Sequence, residues 1–593
     1  MASSISSGTG RVASSITSRW HAAAPAAVRG SYRVGDEAKA WRAWCRHLQR
    51  RRRPVPPDKL VAGGPNALLW GFGNRPEIAP CLGRIDEFLT RPAASGDESM
   101  LAAWLESDPP GDERAALESL AWCHALPTLA ARVELATWWA VVDRLATTAA
   151  EAGRFSLDDQ PLLHQLLAGE LPLTLGYLFP ELRIAASLLA QSRRALSAGL
   201  VEMLDQGIPH GRHFEVFRPL MACWTRCGSM GRQIAKGCWS SRSSSQYCWA
   251  VRQAINLTRA DGGYPLDRMP PDGTIRAMFA AALELGGDDD DGWIAGQALP
   301  KPPKLAAAEP KSRRPASSLH SEWAGVSVLR PAWSRNDPRL TAVYHLRDVR
   351  MELEAARQTI FSGIWGLEVV RDGQALAPSG DWAETCWVSD KDIDYLELEI
   401  DLGAGLRVER HMALAREDRF LLLADTVLSD RPAVLEYRGR LPLAEGVAAQ
   451  EAKETRELVL TAGKPAAVLL PLALPEWRVD PRVGQAGASG SHLELRQSFR
   501  GTGLFAPWFI DLDPRRMSRP ATWRQLTVAE NRRILAADAA VGYRAMAGRR
   551  QWLIYRSLVK VGNRTVLGHN LVTEMLIARF GADGEIDPLI EIE

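Results

Sequence analysis

The residues of this sequence best suited to proton transfer and anion binding lie in one short turn. The stretch LDQGIPHGRHFEVFRPLMACW, Leu204 to Trp224, contains His210, Arg212, His213 and Glu215. Its Gly and Pro residues predict a turn before a helix, so helix N–H groups would point at a bound anion. Imidazoles transfer protons near neutral pH, and guanidinium groups bind carboxylates. A structural interpretation stays open, in which His213 is an ordinary first-turn residue and Glu215 complements the helix dipole.

A second group of polar residues follows in YCWAVRQAINLTRADGGY, which contains Tyr247, Asn256, Arg259 and Tyr264. Tyr247 lies beside Cys and Trp on a predicted helix, so a position in the core or at its rim is the alternative to catalysis. Asn256 is unusual in an apolar helix, because a buried amide needs hydrogen-bond partners. Arg259 comes just before Asp-Gly-Gly, and a Gly-rich helix end would explain that segment without any function.

Two patterns raise the question of a metal. Cys223 and Cys227 stand four apart on a predicted helix, but Trp residues surround them and the spacing is not that of a CxxC pair, which favours apolar packing. The run Asp288 to Asp291 lacks the alternating ligands of a calcium loop, so we interpret it as a solvated loop. The eight thinly spread cysteines are typical of free thiols in a reducing compartment. We therefore predict no metal and no cofactor.

The composition is that of a multidomain soluble protein. Of 593 residues, 46% are hydrophobic and 24% are charged, and the net charge of +2 gives no general attraction to nucleic acid. The basic cluster Arg50 to Arg53 is interpreted as a solvated helix end. No run of about 18 apolar residues predicts a transmembrane segment. The Ser- and Ala-rich start is no recognisable secretion signal, so we expect a cytoplasmic location, with a periplasmic or secreted one as the alternative.

The elements that must position the first two groups are helices. After a tail predicted to be disordered over residues 1–30, residues 31–298 carry apolar residues at helical spacing, separated by short Gly- or Pro-containing turns. We interpret this as a toroid of antiparallel helical hairpins, an α/α toroid, because a solenoid would show a fixed repeat. The predicted helices are Asp36–Arg52, Ile85–Thr90, Ser99–Glu106, Glu113–His124, Thr128–Ala152, Leu157–Ala168, Leu171–Leu178, Leu182–Asp205, His213–Cys227, Ser244–Arg259 and Thr274–Leu285.

A Pro-, Lys- and Ser-rich linker over residues 299–318 separates these helices from a region with a period of two. Residues 319–593 are predicted to form a large antiparallel β-sandwich of two stacked sheets. The final segment Leu571–Phe580 fits a helix or a strand. The predicted strands are Trp323–Leu329, Leu340–Leu346, Arg350–Ala356, Leu367–Arg371, Tyr395–Asp401, Leu406–Leu414, Phe420–Leu428, Val434–Arg440, Leu458–Thr461, Ala467–Leu472, His492–Gln497, Ala506–Asp511, Arg524–Val528, Val541–Met546, Gln551–Ser557 and Arg564–Leu567.

This order of a helical toroid and an antiparallel sandwich resembles the heparinase II/III-like polysaccharide lyases. Leu204 to Trp224 is similar to the family segment in which DG-x-x-x-E precedes an aromatic residue and opens a helix that faces the substrate groove. LRVERHMALAREDRFLLLADTVLS, Leu406 to Ser429, is similar to sandwich strands in which an Arg-initiated apolar strand is followed by one that ends in Asp-x-Val. Family members also carry a cluster like His-x-His-x-Asp early in the sandwich. The corresponding stretch, Ala342 to Gln358, contains only His345 and Asp348.

The resemblance implies a lyase that cleaves an acidic, uronic-acid-containing polysaccharide by β-elimination, with an acidic polysaccharide or oligosaccharide as partner. Such chemistry requires a group that neutralises the sugar carboxylate, a base and an acid. The resemblance and the residue types together give these candidate sets: catalytic His210, His213, Tyr247, Tyr264 and His345, and substrate-binding Arg212, Glu215, Asn256 and Arg259.

Two alternatives stay open at this point. A catalytically inactive carbohydrate-binding or scaffold protein would keep the fold without the second histidine of the cluster. A glycoside hydrolase would need two carboxylates across a groove, for which Asp205 and Glu215 are candidates. Trp365, Trp382 and Trp387 lie in turn-rich stretches and are predicted to line a sugar-binding groove.

Overall fold

The structure is a computed structural model, which divides into two compact units. The helical unit comprises Met1–Leu257, Arg268–Gly296 and Lys301–Ser312, and the sheet unit comprises Thr258–Asp267, Gln297–Pro300 and Arg313–Glu593. The predicted order, with helices first and antiparallel strands after them, is confirmed. The structure describes residues 19–51, 67–72, 75–90, 99–267, 273–303, 314–479 and 484–593.

The helices of the helical unit are short and bury one face or their whole circumference. The helix Glu37–Arg50 shows how the sequence determines them. The carboxylate of Asp36 accepts the N–H of Lys39 at 2.9 Å, and Ala40, Trp44 and Leu48 recur every four residues on the buried face. The helices are α1 Ala26–Arg33, α2 Glu37–Arg50, α3 Ile78–Thr90, α4 Ser99–Glu106, α5 Glu113–Leu129, α6 Leu135–Glu151, α7 Pro161–His164, α8 Leu171–Leu178, α9 Ala185–Glu202, α10 Phe217–Gly231, α11 Ser241–Asn256, α12 Ile275–Gly286 and α13 Asp289–Ala298.

The centre of the helical unit is the continuous stretch from α7 to α8. Between them, Gln165–Glu170 forms one turn of π-helix, and all eight residues of α8 are buried. Helix α8 packs against α5, α6, α9 and α10. A π-helical turn inside a helix is rare and frequently marks a functional position.

Within the described residues, the sheet unit is built from four antiparallel sheets. One has five strands, one has eleven, one has five and one has four. Buried apolar clusters lie between successive sheets. The unit therefore has more sheets than the two that the sequence predicted. Both faces of the large sheet are apolar, so each face has to pack against another sheet.

The strand bounds are as follows. They are β1 Leu204–Asp205, β2 Ile208–Pro209, β3 Leu319–Ser321, β4 Val326–Leu329, β5 Arg339–His345, β6 Asp348–Ala355, β7 Gln358–Ile364, β8 Gly366–Arg371, β9 Gln374–Leu376, β10 Ala383–Ser389, β11 Ile393–Asp401, β12 Leu406–Ala415, β13 Phe420–Pro442, β14 Ala448–Glu451, β15 Leu458–Ala462, β16 Lys464–Pro471, β17 Gln485–Ser489, β18 His492–Asp511, β19 Ala521–Leu526, β20 Val528–Glu530, β21 Arg533–Ile534, β22 Ala540–Ala547, β23 Arg550–Ser557, β24 Arg564–Val566, β25 His569–Leu571, β26 Met575–Phe580 and β27 Ile586–Ile592.

In order of pairing, the first sheet is β3-β4-β5-β6-β7. The eleven-stranded sheet has the path β10-β11-β12-β13-β18-β16-β15-β14 and is joined by β8, β9 and β17. The other two are β19-β22-β23-β26-β27 and β21-β20-β24-β25.

Several boundaries differ from the prediction. Residues 1–18 and 304–313, in the predicted tail and linker, lie outside the described residues, but Trp20 is buried and α1 begins at Ala26, so ordered structure starts before residue 31. Segment Thr258–Asp267, placed by sequence in the helical domain, belongs to the sheet unit. The final segment Leu571–Phe580 holds no helix: β25 ends at Leu571 and β26 covers Met575–Phe580. No described helix is long and apolar enough to span a membrane.

The Asp288 to Asp291 run is not a solvated loop but the start of α13. The carboxylate of Asp288 accepts the N–H of Asp291 at 2.9 Å, and Asp291 accepts the N–H of Asp288 at 3.1 Å. Both carboxylates bind Arg252, at 3.0 and 2.6 Å. Acidic residues are favourable at a helix start, which is why this run folds as it does.

Candidate functional site

The His210 turn begins with a two-stranded hairpin, β1–β2, and continues into a 3-10 helix, Gly211–Val216, that leads directly into α10. The hairpin lies against α11. Gly207 in its turn has a φ of +79°, and a Cβ there would lie 2.3 Å from the backbone nitrogen of Ala250. Only glycine therefore allows the hairpin to approach the helix this closely.

The structure brings the two predicted histidines of this turn together. The ring centroids of His210 and His213 are 6.1 Å apart. His210 is half-buried, and its Nδ1 accepts the backbone N–H of Arg212 at 3.2 Å, whereas His213 is buried. The side chain of Arg212 is 41% exposed and pairs with the exposed Asp158 at 2.8 Å, and Glu215 is exposed. The turn thus presents a cation and an imidazole at the surface, backed by a second imidazole.

The second predicted group is divided between the two units. Tyr247 and Asn256 belong to α11 of the helical unit, whereas Arg259 and Tyr264 lie in segment Thr258–Asp267 of the sheet unit. Asn256 and Tyr264 are both buried. The sequence alone treats these four residues as one patch because they are near in the chain.

Tyr247 is a core residue. It is 1% exposed, its hydroxyl and that of Thr225 are 2.9 Å apart, and its ring stacks on Trp239 at 5.1 Å. Burial raises its pKa far above the ordinary tyrosine value, and the hydrogen bond with Thr225 offsets only part of that rise. Of the two interpretations that the sequence left open for Tyr247, the structure agrees with a position in the core.

The π-helical turn holds a buried ion pair. Arg226 donates to both carboxylate oxygens of Glu170, at 2.6 and 2.7 Å, and both side chains are almost fully buried. Cys223 and Cys227 place their sulfurs within 4.8 Å of a Glu170 oxygen and of each other. Metal binding would need thiolates, but burial raises the pKa of both thiols, and the guanidinium already occupies both oxygens of the carboxylate. The group therefore fits packing around an ion pair better than a metal site.

In the sheet unit, two carboxylates on β6 hold the segment Thr258–Asp267. Glu352 accepts the N–H of Leu266 at 2.8 Å, and Glu354 accepts the N–H of Ala260 at 3.1 Å. Arg339 on β5 donates to the carbonyl of Thr258 at 2.7 Å and pairs with Glu354 at 2.6 Å. We call Glu352, Glu354 and Arg339 the carboxylate clamp.

The clamp also surrounds Arg259, a predicted substrate-binding residue. Its guanidinium lies 3.5 Å from Glu352, 3.3 Å from Asp261 and 3.0 Å from the carbonyl of Asp267. Burial raises the pKa of Glu352 to about 7, and the charges of Arg259 and Arg339 limit that rise. A carboxyl group with such a pKa can exchange a proton near neutral pH, which is a property of general acid–base residues.

His345, at the end of β5, is half-buried and lies directly opposite Asp348 in the β5–β6 register. A further histidine, His320 on β3, lies in a cluster that the sequence analysis missed. Its Nε2 is 3.1 Å from Glu384, its Nδ1 is 3.1 Å from the hydroxyl of Ser327, and its ring stacks on Trp387 at 4.4 Å.

Two of the three tryptophans predicted to line a groove do not do so. Trp365 and Trp382 are buried, and the guanidinium of Arg410 lies over both rings, 4.0 and 4.7 Å from their centroids. Arg410 in turn binds Asp425 through two hydrogen bonds of 2.8 and 3.0 Å. Trp387 is half-buried against His320.

The residues that sequence reasoning missed share one signal. Glu352 and Glu354 alternate with Met351, Leu353 and Ala355 along β6, in the stretch MELEA. Carboxylates at every second position of a strand share one face, and a strand with both faces buried must supply partners for them. That pattern could have marked Glu352 and Glu354 before the structure was known.

Comparison with known proteins identifies the fold. No protein-family model and no curated protein matches the sequence. Among solved structures, a heparinase III matches with a TM-score of 0.61 and 10% identity over 91% of this chain and 99% of that chain. The heparan sulfate lyase HepC from Pedobacter heparinus matches with a TM-score of 0.57 and 13% identity, over 90% of this chain and 96% of that chain.

The chain therefore has the fold of the heparinase III type of polysaccharide lyase, an α/α toroid followed by an antiparallel β-sandwich. This confirms the fold class and the family resemblance predicted from the sequence. At these identities the likeness concerns the fold, and activity has to be argued from the residues.

Proposed function

We propose that this protein is a polysaccharide lyase that cleaves an acidic, uronic-acid-containing polysaccharide by β-elimination. The observation that carries the proposal is the likeness to heparinase III and to a heparan sulfate lyase over about nine-tenths of the chain. A protein that keeps both parts of this fold keeps the framework on which those lyases bind an acidic polymer.

The His210 turn supplies the groups that the reaction needs. Arg212 neutralises the uronate carboxylate, since its own partner, Asp158, is 76% exposed and easily replaced by a substrate anion. His210 removes the proton from the carbon that bears the carboxylate. The electron pair forms a carbon–carbon double bond, the bond to the glycosidic oxygen breaks, and the departing oxygen takes up the proton that His210 has removed. His213 is buried beside His210 and provides a second imidazole that can hold the transferred proton. Asn256, in the helical unit with His210, stays a candidate for the same reaction, whereas the roles predicted for Tyr264, His345 and Arg259 in the sheet unit stay predictions.

The test is the ultraviolet absorbance of the new unsaturated ends. Full-length protein is incubated with heparan sulfate, chondroitin sulfate, hyaluronan and alginate, beside the variant His210→Ala/His213→Ala. We expect absorbance on at least one polymer, and a loss of at least about 100-fold in the variant, because positioned acid–base groups contribute that much.

His21→Ala is a matched control. His21 is exposed, and its Nδ1 accepts the backbone N–H of Ala23 at 3.2 Å, the same arrangement as in His210 and Arg212. The control should keep full activity. Equal loss in both variants would contradict a role of the His210 turn in the reaction.

A second candidate function is binding of an acidic saccharide without cleavage. It is supported by the stretch Ala342 to Gln358, where His345 and Asp348 stand without the second histidine of the family pattern. No absorbance on any of the four polymers, with binding retained by a folded protein, would favour this function over the lyase.

A further inference from the structure

A groove with strongly positive walls runs between α2 and the turn that joins α5 to α6. It has a volume of about 930 Å³. From α2 it is lined by Trp41, Arg42, Cys45, Arg46 and Gln49, and from the other side by residues 130–135. We call it the basic groove. It lies within the helical unit, on elements other than the hairpin and the 3-10 helix of the His210 turn.

The spacing of residues on α2 creates this groove. Ala40, Trp44 and Leu48 face the core, while the residues of α2 that line the groove are Trp41, Arg42, Cys45, Arg46 and Gln49. The thiol of Cys45 donates to the carbonyl of Ala130 at 3.1 Å, which fixes the turn against the helix. The two walls of the groove, α2 and the turn, are therefore held together by a direct hydrogen bond.

The charges of the groove are not neutralised by the protein around it. Arg42 and Arg46 are exposed and have no carboxylate partner among the described residues, in contrast to Arg114 and Arg232, which pair with Glu118 and Glu284. A third guanidinium, of Arg132, donates to the carbonyl of Phe88 at 3.1 Å. Against these three cations stands one acidic residue of the lining, Glu134.

Two further features suit an anionic sugar. Glu134 is the N-cap of α6 but makes no capping hydrogen bond with its side chain, so the helix start is available to an anion. Trp41 is half-buried, with its ring tilted against Trp138 at a centroid distance of 5.8 Å. Indole rings supply flat apolar surface for the apolar face of a sugar, and guanidinium groups bind carboxylate or sulfate with two hydrogen bonds.

We propose that the basic groove is a second binding site for the acidic polysaccharide, which holds uronate or sulfate groups of the chain away from the reacting bond. The identity of the ligand rests on the proposed function, whereas the charge and shape of the groove do not. Its volume lies in the range of about 300–1,000 Å³ that is typical of small-ligand sites.

The test measures the binding of a fluorescein-labelled hexasaccharide derived from heparan sulfate by fluorescence anisotropy. All titrations use the full chain in the His210→Ala/His213→Ala background, so that the probe is not cleaved. Arg42→Gln/Arg46→Gln should weaken binding by at least about tenfold, as expected for the loss of charge-assisted hydrogen bonds to an anion. The salt dependence of binding should also decrease, because fewer charges are neutralised.

Arg532→Gln/Arg533→Gln is the matched control, because it also removes two positive charges. Both residues are exposed, Arg532 in the turn between β20 and β21 and Arg533 at the start of β21, and neither has an ion-pair partner among the described residues. Binding by this variant should stay close to that of the background. Circular dichroism and thermal unfolding of each variant establish that it is folded.

The outcomes separate this inference from the proposed function. Three results would contradict binding of the polysaccharide in the basic groove. They are equal weakening in both Arg variants, equal displacement of the probe by single-stranded DNA of the same charge, and no binding at all. If the wild type has lyase activity and Arg42→Gln/Arg46→Gln binds the probe as tightly as the background, the proposed binding site is wrong and the proposed lyase function stands. If binding depends on Arg42 and Arg46 but the wild type cleaves none of the polymers, the proposed binding site stands and the proposed lyase function is wrong.

Discussion

Replacing Glu352 by Gln should change how the stability of the sheet unit depends on pH. The Glu352 carboxylate is buried, accepts hydrogen bonds from Leu266 and Ser362, and lies 3.5 Å from Arg259 and 4.0 Å from Arg339. Burial raises its pKa from 4.5 to about 7, because the two guanidinium groups offset only part of the loss of hydration.

The sign follows from proton binding. Between pH 4.5 and about 7 the folded state keeps the Glu352 proton that the unfolded chain has lost. The contribution of this group to stability is therefore complete below pH 4.5 and is lost as the pH rises through about 7. The rise from 4.5 to about 7, at about 1.4 kcal/mol per pH unit, corresponds to about 3 kcal/mol. The glutamine side chain of the variant carries no charge at any pH, so this contribution is absent from it.

The assay is guanidinium chloride unfolding of the full chain, followed by far-ultraviolet circular dichroism between about pH 4 and about pH 8. The free energy of unfolding of Glu352→Gln minus that of the wild type should rise by about 3 kcal/mol over this range. Other titrating groups cancel in the difference. Glu417→Gln removes an exposed carboxylate that has no ion-pair partner among the described residues, and it serves as the control for a general charge effect.

A difference that stays constant would refute the reasoning. A difference that falls toward high pH would do so even more directly, because it would mean that the Glu352 carboxylate is stabilised as an anion by Arg259.

Three other predictions follow from buried or strained positions. Arg226→Met should lower the free energy of unfolding of the helical unit by about 3–5 kcal/mol, because it leaves Glu170 buried without its partner. Adding Glu170→Leu should restore most of that loss, as measured by scanning calorimetry. A double variant no more stable than the single one would contradict this. Gly207→Ala should cost at least about 1–3 kcal/mol and reduce lyase activity, because it forces a side chain into a positive φ and against the backbone of α11. Gly373→Ala, with a φ of +83° and open space around it, should cost less in the same thermal unfolding measurement. A maleimide should label the exposed Cys248 first, and the five buried cysteines only after unfolding, as read by mass spectrometry of peptides.

Much of the fold could be predicted because local patterns determine it. The period of apolar residues separated helices from strands, and α4 and α8 were predicted with the bounds that they have. Long strands were harder: β13 runs continuously through Phe420–Pro442, although the exposed stretch at Asp430 and Arg431 reads as a break. A strand can pass through a polar stretch when its neighbours on both sides continue, and pairing with β18 resumes at Ala433.

The site was less predictable because its partners are far apart in sequence. His210 and His213 were found together because they are three residues apart. Arg259 lies more than ninety positions before Glu352, so no local pattern could join the two. The Asp288 to Asp291 run was misinterpreted for the same reason, since its partner Arg252 belongs to another helix.

The assignment of Thr258–Asp267 to the sheet unit means that this unit is not continuous along the chain. A shortened protein that begins at residue 313 would contain the strands β3 to β27 of the sheet unit but would lack the backbone N–H groups of Ala260 and Leu266. Glu352 and Glu354 would then each lose a backbone N–H donor, and Glu352 would also lose the guanidinium of Arg259. Among the described residues, the two buried carboxylates would keep only Arg339 and Ser362 as partners. A cut in the linker is therefore the wrong place to divide this protein for expression of its parts. The segment could be supplied separately as a ten-residue peptide, Thr258–Asp267, whose binding to the shortened protein would report on the clamp alone.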